Sequence, residues 1–319
     1  MKVEFDMSDY LEECLNKYRL IQGTPTIKKV DSPHKVIDPH AYQDAASNKP
    51  GKLSSVAASL VMSIAYAARM ARPDLVYTVN ELSCHLTKWT SISDSKLHHL
   101  YCYIGATRNL FLTGVVELGS AAQWKLEFYT DSNLGGSDLH TRSTSGAALW
   151  ITAGAESWTR FPLQWSSKRQ TSTATSTAES EITSLGVGCR SVLLPAETLA
   201  DEILGRTTQV EVLQDNAAAL QVVASGYSTA LRFLSKHQRL SISFCHEVMS
   251  ASHRSIRHCS TAFQRADPLT KGLAGPAMGL ALRNLGIFPS DKLDTDFFRA
   301  VQGSDKIVFK DVAEGDEFC

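Results

Sequence analysis

Acidic side chains stand directly after apolar segments of this chain. Asp131 follows the alternating stretch LEFYT, and Asp215 follows VEVLQ, so each carboxylate is placed where a predicted strand meets a turn. Asp267 follows a further strand and loop, in QRADPLTKG. Taken alone, each aspartate is explained by its structural role, because Asp is common at strand ends and helix caps. Gathered at one edge of a sheet, however, such carboxylates would repel one another without a divalent cation.

A fourth carboxylate comes from a predicted helix that begins near Thr177. Glu179 and Glu181 both lie in its first turn, where acids are favoured by the helix dipole. Spaced two residues apart, their side chains point about 200° from one another, so at most one of them can join the aspartates. Glu181 precedes the apolar pair Ile182 and Leu185 and is placed beside the sheet-facing edge, but the choice between the two glutamates stays open here.

Four such carboxylates, Asp131, Glu181, Asp215 and Asp267, are enough to hold two hard cations, Mg²⁺ or Mn²⁺. A pair of such ions about 4 Å apart activates a water and stabilises the leaving oxygen in phosphoryl displacement. The residue types therefore predict metal-dependent hydrolysis of a phosphodiester.

The elements that position these acids predict an α/β fold. Three alternating strands, a helix, a strand, helices and a last strand follow one another after residue 123, which is typical of a mixed sheet flanked by helices. A small helical subdomain, with helices near 54–70, 74–88 and 94–110, precedes the sheet. The predicted divisions are an N-terminal segment with a linker, 1–52, the helical subdomain, 53–122, the α/β domain, 123–288, and an acidic, loosely ordered tail, 289–319.

Composition and charge limit which cellular compartments and which kinds of partner are expected for this chain. The chain has 319 residues and a formal net charge of -1, so a nucleic-acid partner has to be held by local basic patches. Its 7 cysteines form no CxxC pair, which favours reduced thiols. With no secretory signal and no apolar run long enough to cross a bilayer, we expect an intracellular protein, cytoplasmic or nuclear, without a membrane partner. Its oligomeric state is left open.

Seven sequence blocks, in order, resemble one known family. The chain is similar to the C-terminal end of copia-type retrotransposon Pol polyproteins, where reverse transcriptase passes into ribonuclease H. The blocks are YTDSNLGG (129–136), RSTSG (142–146), WSSKRQ (165–170), STAESE (176–181), QDNAAAL (214–220), SKH (235–237) and ADPLTKGL (266–273). Upstream, residues 10–26, 51–54 and 71–83 resemble the end of the polymerase and its connection.

The resemblance implies a ribonuclease H-like fold that cuts the RNA strand of an RNA–DNA hybrid. It places the metal-binding acids on Asp131, Glu181, Asp215 and Asp267 and implies the polymerase portion of the same polyprotein as a partner. Residues of the same blocks are then expected to contact the hybrid: Ser132, Asn133, Arg142, Ser143, Lys168, Arg169, Asn216, Lys236 and His237. Basic residues around them would neutralise phosphates, although a solvated charged surface would look the same.

Two other hypotheses about the function stay open. The chain departs from the family pattern at Ser180, Ile182, Pro195, Gln238 and Arg239, and it lacks the YVDD-type motif of a polymerase site. One alternative is a decayed or domesticated nucleic-acid-binding module without catalysis. Another is an unrelated α/β metal hydrolase with a closed pocket for a small molecule.

Overall fold

The computed structural model describes residues 1–42, 49–136, 141–154 and 157–289. The predicted acidic tail, 289–319, lies outside these ranges except for Pro289. The strands are β1 Lys2–Phe5, β2 Leu110–Val115, β3 Lys125–Asn133, β4 Thr144–Thr152, β5 Arg160–Arg169, β6 Gln209–Gln214, β7 Arg254–His258 and β8 Ile287–Pro289. The α-helices are α1 Ser8–Gln22, α2 Ala57–Met70, α3 Val76–Ser83, α4 Ser91–Thr107, α5 Thr177–Gly188, α6 Leu194–Leu204, α7 Ala217–Ser225, α8 Leu234–His237, α9 Ile242–Met249 and α10 Gly275–Asn284.

All these strands belong to one mixed sheet with the order β1-β2-β5-β4-β3-β6-β7, and β8 pairs with β2. Strands β3, β4 and β5, the three alternating strands predicted after residue 123, form an antiparallel meander. Strands β6 and β7 then run parallel to β3 on its other side. Three antiparallel strands extended by two parallel ones, with helices on both faces, make an α/β fold of the ribonuclease H-like type, as predicted.

The two faces of the sheet bury different apolar sets. One face, with Leu126, Phe128 and Leu149, packs under α5, α7 and α9. The opposite face, with Tyr129 and Trp150, is covered by residues from the turn after β7 and from the end of α10. Neighbouring side chains along β3 therefore point to opposite faces of the sheet and pack in separate cores. This is why apolar and polar residues alternate along the strand.

Helices α1 to α4 form a third apolar core. The first residue of α4 is Ser91 rather than a residue near 94, because Thr90 and Ser93 make a capping box in which the Ser93 hydroxyl accepts from the Thr90 N–H at 3.4 Å. The chain then leaves the helix at Thr107 and enters β2, where the sequence predicts three more helical residues.

Strands β1 and β2 precede residue 123, yet they extend the same sheet as the meander. In the sheet register, β2 pairs with β5 at Val115 and Arg160. The predicted boundaries of the four segments remain a prediction.

The long helix changes its hydrogen-bonding pattern just before Pro195, because proline cannot donate a backbone hydrogen bond. Helix α5 ends at Gly188, a π-helical turn covers Cys189–Leu193, and α6 resumes with Pro195 in its first turn. Within the described ranges, every helix is too short or too polar to cross a membrane.

Candidate metal centre

Two parallel strands deliver the first two acids to the same edge of the sheet. The β3–β6 register pairs Tyr129 with Leu213, so two residues further along Asp131 comes level with Asp215. On its other side Asp131 pairs with Gly146 of β4. Since the carboxyl ends of parallel strands meet at one edge, the two aspartates converge although they are far apart in sequence.

Helix α5 supplies the third acid. Its N-terminus is fixed by Ser176, whose hydroxyl accepts from the Glu179 N–H at 3.2 Å. From there Glu181 points at the sheet edge, where it accepts from the Ser132 N–H at 3.3 Å and from the Gln214 side chain at 3.1 Å. The Glu181 carboxylate is thus held by a neighbour of each aspartate, Ser132 after Asp131 on β3 and Gln214 before Asp215 on β6.

One carboxylate oxygen from each of Asp131, Glu181 and Asp215 lies within 4.8 Å of the other two. Asp131 is 4% exposed and Glu181 is 3% exposed, whereas Asp215 is half-buried. Three carboxylates this close together, two of them buried, cannot all be ionised at a low cost in free energy without a cation among them. The all-oxygen donor set suits a hard divalent ion such as Mg²⁺ or Mn²⁺.

The electrostatics of the trio reflect this crowding. Burial raises the pKa of Asp131 to about 6, helped by the charges of Asp267 and Asp215 and opposed by a hydrogen bond from Thr270. Burial, followed by the charge of Asp131, raises the pKa of Glu181 to about 8. Both carboxyl groups therefore hold their protons more tightly than an exposed acid does.

The fourth predicted acid, Asp267, stands outside the group of three. Its carboxylate makes an ion pair with Lys271, with 2.5 Å between Nζ and Oδ1. Burial raises the pKa of Asp267, the hydrogen bond and ion pair with Lys271 lower it, and the charge of Asp215 raises it again. Its role as a ligand remains a prediction.

Glu179 points away from the trio, as helix geometry requires. It accepts from the Thr175 N–H at 2.8 Å, from the Gln238 amide at 3.2 Å, and lies 3.3 Å from His237 Nδ1. Of the two glutamates left open by the sequence, the structure brings Glu181 to the aspartates.

Three residues that support Asp131 and Glu181 were not predicted from the sequence. The Thr270 hydroxyl donates to the Asp131 carboxylate, the Ser184 hydroxyl donates to the Asp131 carbonyl at 2.6 Å, and the Gln214 amide donates to Glu181. Gln214 and Thr270 stand next to predicted acids or in their sequence blocks, which was an available signal. Ser184, at the fourth position of EITS, carried none.

The residues predicted to contact nucleic acid lie around this edge of the sheet and differ in their exposure to solvent. Ser132 and Ser143 are buried, and the Ser132 hydroxyl lies 2.7 Å from that of Ser180. Asn216 caps α7 by accepting from the Ala219 N–H at 2.9 Å. The exposed members are Arg142, Lys168, Lys236 and His237, and Asn133, Arg169 and Asn216 are half-buried. Their contacts with nucleic acid remain predictions.

The strand order gives the chain a ribonuclease H-like fold, and three acids are gathered at one edge of its sheet. The chain is 26% identical over 230 residues to a "Retrovirus-related Pol polyprotein from transposon RE2" of Arabidopsis thaliana, covering 72% of this chain and 15% of that protein. It is 27% identical over 229 residues to the Pol polyprotein from transposon RE1 of the same plant, covering 72% and 14%. The resemblance to retrotransposon Pol polyproteins is thereby confirmed, and the chain spans about 15% of the length of these relatives.

Among solved structures, the chain is similar to LC11-RNase H1, isolated from compost, with 18% identity, a TM-score of 0.31 and coverage of 46% of this chain and 92% of that one. The N-terminal RNase H domain of rv2228c from Mycobacterium tuberculosis gives 18% identity, a TM-score of 0.30 and coverage of 50% and 96%. At such scores the strand order, rather than the superposition, defines the fold. No protein-family model matches the chain.

Proposed function

We propose that this chain carries a metal-dependent ribonuclease H that hydrolyses the RNA strand of an RNA–DNA hybrid. The observation that supports this most strongly is the convergence of Asp131, Glu181 and Asp215, with one oxygen of each within 4.8 Å of the others. The relatives in transposon Pol polyproteins supply the biological context for a hybrid substrate.

The three carboxylates would hold Mg²⁺ or Mn²⁺, and Asp267 would join them if its pairing with Lys271 were released. When bound, the ions supply a Lewis acid that lowers the pKa of the attacking water and offsets charge developing on the phosphate. The chain's own residues fix the geometry for this chemistry. Thr270 orients the Asp131 carboxylate, and the Ser132 N–H and Gln214 amide orient that of Glu181.

In the proposed reaction, a water oxygen forms a bond to phosphorus while the bond from phosphorus to the 3′ oxygen of the RNA breaks. The water gives up its proton and the 3′ oxygen gains one, so the products are a 5′-phosphate and a 3′-hydroxyl. Selectivity for the RNA strand would rest on 2′-hydroxyls and groove shape, because hybrid helices are recognised in this way rather than by base sequence. Exposed cations at this edge, including Arg142, Lys168 and Lys236, would neutralise phosphates.

The test uses the purified full chain and a hybrid whose RNA strand carries a terminal label. We expect RNA cleavage in millimolar MgCl₂, none in EDTA, and none of single-stranded RNA. Asp131→Asn and Asp215→Asn should each lower the rate more than about a hundredfold while hybrid binding, measured by fluorescence anisotropy, persists.

Glu202→Gln is the matched control, because Glu202 is an exposed acid on α6. Helix α6 ends just before β6 begins, so Glu202 lies near the start of β6. Asp215 follows the end of β6 and is therefore at the opposite edge of the sheet. This control should cleave at the rate of the unaltered chain. Salt-sensitive hybrid binding without any metal-dependent cutting would instead support the non-catalytic module.

A further inference from the structure

The turn that carries Asp267 also carries a cation. Asp267–Leu269 form one turn of 3-10 helix, and Lys271 follows with its ammonium 2.5 Å from the Asp267 carboxylate. The side chain of Lys271 is 36% exposed and that of Asp267 is 13% exposed, so the pair stands at the border between the acid cluster and solvent. Thr270, directly after the same turn, donates a hydrogen bond from its hydroxyl to the Asp131 carboxylate.

This turn is pressed against the strand that pairs with Asp131. A Cβ atom added to Gly146 of β4 would lie 2.6 Å from the Thr270 methyl and 2.9 Å from the Ala266 carbonyl oxygen. Such close approach leaves the turn little freedom to move as a whole. A change in the partner of Asp267 therefore has to come from rotation of the Lys271 side chain, which is long and partly exposed.

The ammonium also acts on the rest of the cluster. Burial alone would lower the pKa of Lys271, but the charges of Asp267, Asp131 and Asp215 raise it. In return, Lys271 opposes the increase in the pKa of Asp131. A positive charge is therefore already present beside the carboxylates that the proposed function assigns to divalent ions.

We propose that Lys271 is a built-in counter-ion of the metal centre: its ammonium occupies Asp267 in the metal-free chain and competes with a divalent cation for that carboxylate. This inference rests on the proposed function, since it concerns the same centre. It makes Lys271 a positioning residue that sets the Mg²⁺ concentration at which Asp267 becomes available as a ligand. One carboxylate oxygen cannot serve the ammonium and the divalent ion equally at the same time, because the two cations repel one another.

The experiment measures the melting temperature of the full chain against MgCl₂ concentration, with titration calorimetry as a second readout, and needs no substrate. Lys271→Gln removes the charge but keeps most of the side chain. It should lower the Mg²⁺ concentration at the midpoint of stabilisation about fivefold. Lys271→Arg retains a cation and should keep the midpoint of the unaltered chain.

Lys2→Gln is the matched control, because the Lys2 side chain is also 36% exposed and pairs with Glu4 at 3.0 Å in β1. It should leave the midpoint unchanged. In an Asp267→Asn background, Lys271→Gln should alter the midpoint much less, since the contested carboxylate is gone and only the weaker effect of the Lys271 charge on Asp131 and Asp215 remains.

The possible results separate this inference from the proposed function. If Mg²⁺ stabilises the unaltered chain and Lys271→Gln has the same midpoint, the competition is refuted while the metal centre stands. The inference is also wrong if the midpoint of Lys271→Arg shifts as much as that of Lys271→Gln, or if Lys271→Gln causes a shift of the same size in the Asp267→Asn background. If Mg²⁺ stabilises neither the unaltered chain nor Lys271→Gln, the metal centre and the inference fail together.

Discussion

At the residue scale, the buried carboxylates of Asp131 and Glu181 set the energetics of the site. Each is almost fully removed from water, and they lie close to each other and to Asp215. Strand-end position in the sequence predicted the two aspartates, and helix periodicity favoured Glu181 over its neighbour. The hydrogen bond from Thr270 to Asp131 could not be predicted, because it joins residues 139 positions apart and depends on how a turn packs.

Neutralising Asp131 should stabilise the metal-free chain while removing its response to metal. We expect Asp131→Asn to raise the free energy of unfolding by about 1–2 kcal/mol in EDTA, because it removes charge repulsion from a buried cluster. Denaturant unfolding with and without MgCl₂ measures both effects. A stable variant that Mg²⁺ stabilises as much as it stabilises the unaltered chain would contradict the assignment of Asp131.

Glu127 gives a prediction about acid stability, away from the metal centre. Burial alone would raise its pKa, but the charges of Arg160, Arg265 and Lys125 lower the pKa of Glu127 to about 2. A carboxyl whose folded pKa is depressed stabilises the fold above its unfolded pKa, near 4.5, and loses this contribution as the pH falls towards 2. At neutral pH the contribution is about 3 kcal/mol.

We therefore expect Glu127→Gln to be less stable at pH 7 and to lose less stability than the unaltered chain between pH 5 and about pH 2. Urea unfolding across this range measures the difference in slope. Glu81, whose pKa is also lowered to about 2 by its partners His34 and Lys96 against the effect of burial, should keep part of the dependence in both proteins. Identical slopes would show that Glu127 is not the group responsible.

At the element scale, the site depends on how closely the turn 266–270 approaches β4. The alternation of β3 and the start of α5 near Thr177 were readable from the sequence, because an alternating run and a helix start are local patterns. The short strands β1, β2 and β8 were not, since a few residues carry too little pattern to separate a strand from a loop. The approach of the turn to Gly146 was equally invisible, because it is a contact between distant segments.

Gly146→Ala tests this approach. The added methyl group would meet backbone and side-chain atoms of the turn at 2.6 to 2.9 Å, so the turn has to shift away from Asp131. We expect a loss of about 1–3 kcal/mol in the free energy of unfolding and a lower rate of RNA cleavage. Gly279→Ala is the control, because Gly279 lies in α10 with no heavy atom within 4 Å of the added Cβ. It should be neutral or stabilising, and an equal loss in both variants would contradict the steric explanation.

At the scale of the whole molecule, one sheet joins segments that the sequence assigned to separate regions. Strand β2 pairs with β1, β5 and β8, and its Leu112 belongs to the same apolar core as Trp150. The indole N–H of Trp165 on β5 donates to the Ala68 carbonyl of α2 at 2.8 Å. The change from helical to alternating periodicity at Gln123 predicted a boundary there, but periodicity carries no information on which strands share a sheet.

A fragment of residues 123–289 should therefore be less stable than the full chain by about 3 kcal/mol or more, because Trp150 and its neighbours lose part of their cover. Denaturant unfolding of the two proteins, followed by circular dichroism, provides the comparison. A fragment as stable as the full chain would establish the predicted boundary as a true domain boundary.

The most direct measurement of the central claim is anomalous diffraction from crystals of the full chain soaked in MnCl₂. The proposed metal centre predicts Mn²⁺ bound by the carboxylates of Asp131, Glu181 and Asp215, with a second ion about 4 Å away at high concentration. Crystals of Asp131→Asn should lose this density. Ordered Mn²⁺ only at other positions, or none beside these three acids, would contradict the claim.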